Sequence, residues 1–101
     1  MMNKSIIAIL LLQVAIWIQH DDSVNCHGYA WDADCWVADV RPYLKAPGND
    51  VIVYFDEQNR PIHSAINNGN GWVTSKWGSN GIYTHPVWLS PYGQTWRGFA
   101  K

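Results

Sequence analysis

The sequence predicts a single small α+β domain, a short helix followed by an antiparallel meander. Three observations carry that expectation. Asn25 precedes Cys26 as a helix-capping residue, and Tyr29 and Ala30 follow at the three- and four-residue spacing of one helical face. Apolar runs at residues 50–57, 62–66 and 72–77 are separated by clusters of turn-forming residues. The length, 101 residues, suits one domain rather than two.

Residues 1–5 are polar and include Lys4, and residues 6–18 are apolar except for Gln13. His20, Asp21 and Asp22 close the stretch. A basic start, an apolar run and a polar exit fit a secretory signal or an uncleaved anchor. The run is short against the roughly 20 apolar residues that cross a bilayer. We expect residues 1–20 to be a leader or anchor with the capacity for membrane contact, and residues 21–101 to be the folded domain. The alternative is a buried N-terminal helix, or a foreign leader. The expected location is secreted, periplasmic or membrane-anchored.

In the domain, Asn25 caps a helix from Cys26, and Asp32 and Asp34 end it. Residues 35–37 fit a short strand or a second helical turn. Pro42, Pro47 and Gly48 mark a loop. Residues 50–57 read as a central strand, because both faces are apolar. Residues 57–60 and Pro61 form a hairpin connection. On the return strand, His63 and Ala65 share one face; Ile62, Ser64 and Ile66 share the other. Residues 67–71 make a second turn. In the third strand Trp72, Thr74 and Lys76 oppose Val73, Ser75 and Trp77. Beyond it, Gly and Pro punctuate a loop-rich tail with short extended pieces at residues 82–85 and 95–99.

Composition excludes several classes. Hydrophobic residues make up 48% and charged residues 15%, which opposes disorder. A net charge of −1 leaves no basic footprint for nucleic acid. Two cysteines cannot build a four-thiolate zinc site. Cys26, His27, Cys35, His63 and His85 show no close-spaced ligand pair, so no metal and no cofactor is expected.

The candidate chemistry centres on Cys26. A helix start lowers a thiol's pKa and favours the nucleophilic thiolate. His63, at the start of a strand that would pack on the helix, is the candidate base. Thr74, Ser75, Lys76 and His85 are within reach as a third member, and Ser75 and His85 are carried as candidates. Asn25 and the backbone N–H of His27 are placed to support an oxyanion. Trp31 and Trp36 flank the helix and are expected to pack it on the sheet. Trp31 and Trp77 are candidate substrate contacts. Other readings stand beside these. Cys26 and Cys35 could form a disulfide, Cys26 could be an inert buried thiol, and His63 could bond a backbone carbonyl. His85-Pro86 reads first as a turn element and only second as a catalytic member. The seven Trp could fill the core rather than bind anything.

The order Asn-Cys-His-Gly-Tyr-Ala-Trp (residues 25–31), Asp-Val-Ile-Val-Tyr-Phe-Asp (50–56), His-Ser-Ala-Ile (63–66) and Ser-Lys-Trp-Gly (75–78) resembles small bacterial proteins of the papain-like clan. It is similar to the NlpC/P60 and CHAP cysteine amidases, and to bacterial families sharing the Asn-Cys-His-Gly-Tyr-Ala segment. The resemblance spans roughly residues 25–92. It implies a papain-like fold, Cys26 as nucleophile, His63 as base, and hydrolysis of amide bonds, often in peptidoglycan peptides. The sequence departs from the NlpC/P60 pattern: Asn25 stands where Asp is usual before the Cys, and His27-Gly28 where Ser-Gly follows it. The third catalytic position has no counterpart. Two alternatives remain: a Trp-rich wall- or protein-binding module with Cys26–Cys35 oxidised, and a small secreted effector or toxin.

Overall fold

The computed structural model describes residues 16–19, 23–77 and 81–101. It is an α+β domain, one short helix on a six-stranded antiparallel sheet. In chain order the elements are β1 (Ile16–Gln19), α1 (Cys26–Ala30), a 3-10 turn (Arg41–Tyr43), β2 (Pro47–Phe55), β3 (Pro61–Gly69), β4 (Trp72–Lys76), β5 (Ile82–Pro86) and β6 (Thr95–Phe99). The strand order is β1-β5-β4-β3-β2-β6. The expected leader lies outside the described residues up to position 15; residues 16–19 form the edge strand β1, paired with β5.

Helix α1 starts where its capping chemistry dictates. Asn25 is extended, and its side-chain Oδ1 accepts the Gly28 N–H at 2.9 Å. The same oxygen accepts the Val37 N–H at 3.0 Å, and Asn25 Nδ2 donates to the Val37 carbonyl at 2.7 Å. One side chain therefore caps the helix and ties down the segment that follows it. The helix ends at Trp31, and Asp32 and Asp34 both take positive φ, 54° and 57°. Residues 35–37 form neither the strand nor the helical turn expected; Asn25 holds the backbone of Val37 instead.

Strand β2 is central, as its two apolar faces require. Val51, Val53 and Phe55 pack with Ala30, Trp31, Val37 and Val40 on the helix side. Tyr54 packs on the other side with Ala65 and Val73, joined by Ile52, Val87, Tyr92 and Trp96. The β3–β4 connection is the two-residue turn Asn70-Gly71, φ 55° and 80°, whose twist matches paired strands. It is tighter than residues 67–71 suggested, because Asn67 and Gly69 stay in the ladder. The tail holds two strands, β5 and β6, and β6 pairs with β2 on the far side of the sheet. Trp31 is buried against the helix-side core, but Trp36 is 65% exposed rather than enclosed between helix and sheet.

Candidate active site

Cys26 occupies the first position of α1 and is partly buried. The backbone N–H groups of Ser64, His27 and Cys26 itself are directed at the thiol, and the Lys76 ammonium acts on it; all lower its pKa. Burial outweighs them and pushes the thiol above its ordinary value of 9.0. The expectation of a lowered thiol pKa is therefore reversed: a helix of 5 residues carries little dipole, and desolvation dominates. Cys35 is exposed, and both cysteines are free thiols, so the disulfide is not formed.

The β3 alternation sends its residues to opposite faces. Ser64 faces the helix, where its Oγ lies 2.7 Å from His27 Nδ1 and accepts from Trp31 Nε1 at 3.2 Å. His63 faces away, into the side packed by Tyr54 and Tyr92. Its ring is fully buried, and neither Nδ1 nor Nε2 has a hydrogen-bond partner. Cys26 and His63 are thus not in hydrogen-bond contact. They flank the same stretch of β3 backbone: the Ser64 N–H meets the thiol, and the preceding residue carries the imidazole. Burial, then the charges of His27 and His85, hold His63 well below the usual histidine value.

Ser75 and His85 are brought together with each other. His85 Nδ1 is 2.8 Å from the Pro86 carbonyl, which can only accept, and Trp77 Nε1, which can only donate, is 3.3 Å from His85 Nε2. His85 therefore carries its proton on Nδ1. Ser75 donates to Nε2 at 3.0 Å. All three residues are buried, and His85 has both ring nitrogens committed inside the protein. Trp77 also stacks on Tyr83, with centroids 4.5 Å apart, so its indole presents almost no surface to a ligand. Trp31 is nearly buried but edges a groove of about 650 Å³ with Tyr43, Lys45 and Lys101.

One neighbour escaped the sequence reading. Tyr92, in the loop before β6, stacks on His63 with centroids 3.8 Å apart and planes 9° apart. Burial and the nearby Cys26 push its phenol up to about 12. Its only signal in the sequence was an aromatic between Pro91 and Gly93. Among the described residues no cluster of acidic, histidine and cysteine side chains could hold a metal ion.

Asn25→Ala should lower stability by at least about 1 kcal/mol, the usual worth of an N-cap, since it also frees the Val37 backbone. Urea denaturation checks this; an unchanged midpoint would mean that Asn25 does not anchor the helix. No family model, curated protein or solved structure matches the chain.

Proposed function

We propose that the protein is a cysteine hydrolase of papain-like type that cleaves amide bonds in peptides, cell-wall peptides among them. The observation that supports this best is the Cys26 thiol at a capped helix start, with the N–H groups of Cys26, His27 and Ser64 directed at it. Those donors suit the thiolate and the oxyanion that follows attack. The raised thiol and lowered imidazole favour a neutral resting pair over an ion pair. His63 then acts during attack rather than before it.

The proposed reaction is as follows. Cys26 Sγ bonds to the carbonyl carbon as its proton passes to His63. The carbon–nitrogen bond breaks, and His63 returns the proton to the leaving amine. Water, deprotonated by His63, hydrolyses the thioester and regenerates the thiol. The thiol and the imidazole share no hydrogen bond at rest, and the loose geometry common in enzymes without substrate allows for that.

The test is turnover of soluble peptidoglycan fragments by the full chain. Cys26→Ala and His63→Ala should each reduce it by about a thousandfold or more, as loss of a nucleophile or its base does elsewhere. Either variant retaining native turnover would remove that residue from the mechanism.

A binding module is the second reading. Trp36, Trp72 and Trp88 are 65%, 38% and 58% exposed, and flat aromatic faces in water suit sugar or peptide contacts. Retention of the native chain on insoluble wall material, with no turnover of fragments, would favour it over hydrolysis.

A further inference from the structure

A histidine base needs its ring held in one plane, and a hydrogen-bonding neighbour usually does this. His63 has none: both ring nitrogens are unpartnered although the side chain is fully buried. The two candidates for that task are committed elsewhere, Ser75 to His85 and His85 to Pro86. What does meet the imidazole is aromatic. Tyr92 lies parallel to it at 3.8 Å, and Tyr54 is tilted against it at 5.6 Å and 46°.

We propose that Tyr92 is the positioning residue for His63, its ring fixing the plane of the imidazole by face-to-face stacking and leaving both nitrogens unbonded to the protein. This rests on the reading of His63 as the base. A stacked ring restrains tilt without consuming Nδ1 or Nε2, so either nitrogen remains able to exchange a proton. The loop is built to hold the phenol there. Tyr92 N–H donates to Ser90 Oγ at 3.0 Å, and Gly93 takes φ 111°, a left-handed turn that favours glycine. Tyr54 Oη donates to the Val87 carbonyl at 2.6 Å, tying the start of the same connection to β2. Tyr92 is also near enough to the nucleophile for the Cys26 thiolate, when formed, to act on its phenol. The titratable groups around His63 are Tyr54 from β2, Tyr92 from the loop, His27 from α1 and His85 from β5.

The experiment uses the full chain, with turnover of soluble peptidoglycan fragments and a nitrogen-15 titration of the His63 ring. Tyr92→Ala should lower kcat by roughly ten- to a hundredfold, the loss expected from a misaligned group, and KM much less. Uncovering the ring should also move the His63 titration up toward the ordinary 6.5, and the acid limb of the rate profile with it. Tyr92→Phe keeps the flat face and should recover most of the lost kcat. Tyr92→Leu fills the site without a ring and replaces the alanine variant if that fails to fold; it should lose kcat as alanine does. The proposal is overturned if Tyr92→Ala or Tyr92→Leu keeps native kcat, or if Tyr92→Phe is as impaired as they are. An unmoved His63 titration in Tyr92→Ala also overturns it, and that reading needs no turnover. A His63→Ala chain as active as the native one would instead overturn the base assignment itself, whatever Tyr92 does.

Discussion

Gly28→Ala is expected to destabilise the protein by about 3 kcal/mol or more, at the upper end of what overpacking costs. A methyl group built on Gly28 would overlap the Cys35 carbonyl oxygen, a backbone atom with no rotamer to yield. The substitution has one favourable effect, since alanine is better than glycine inside a helix by about 1 kcal/mol. The clash exceeds that gain because the Cys35 segment cannot retreat. Asn25 binds both the N–H and the carbonyl of Val37, two residues further on. Urea denaturation should show the loss. A Gly28→Ala chain as stable as the native one would mean that the segment after the helix is not held against it.

Acid should destabilise the fold well before the carboxylates titrate. His63 is buried as the neutral ring, with its pKa below the ordinary 6.5 that the unfolded chain regains. Below pH 6.5 the unfolded chain binds a proton that the folded chain refuses, so stability falls as pH falls. It is intact above 6.5 and declines down to the folded pKa of the ring. The limiting slope is about 1.4 kcal/mol per pH unit for one such group. His27 and His85 are lowered too, mainly by burial, and add in the same direction. Asp39 and Asp56 are both lowered below 3.8, so their losses fall at lower pH. Urea midpoints between pH 7 and pH 5 measure this, and a His63→Asn chain should show a shallower decline. A midpoint flat across that range would mean that His63 accepts a proton without leaving its site.

The helix start was legible because Asn25 satisfies an orphan N–H wherever a chain turns into a helix, and the structure finds that bond. The central strand was legible because Val51, Val53 and Phe55 alternate with Ile52 and Tyr54, and both sets are apolar. The extended pieces at residues 82–85 and 95–99 were visible, but not their partners. Strand pairing is a long-range choice, and nothing local in Thr95–Phe99 says that it joins β2 rather than β5. The site divides in the same way. Cys26 at a helix start is a local feature. The direction of its pKa depends on how deeply β3 and β4 bury it. Tyr92 was invisible as a neighbour of His63 because it lies 29 positions further along the chain and only the fold stacks them.

The strand order also bears on how the chain assembles. After β5, the chain crosses the sheet face away from α1, lays Val87 and Tyr92 on Tyr54 and His63, and adds β6 beyond β2. Hairpins β2–β3 and β3–β4 close over short loops and can form early; β6 reaches a partner forty or more positions back at a larger cost in closure entropy. During synthesis β2 therefore keeps an open edge, and His63 an uncovered ring, until the last strand has emerged. Completion of the sheet and enclosure of the imidazole are then one late event, so a partly made chain carries His63 before Tyr92 covers its ring.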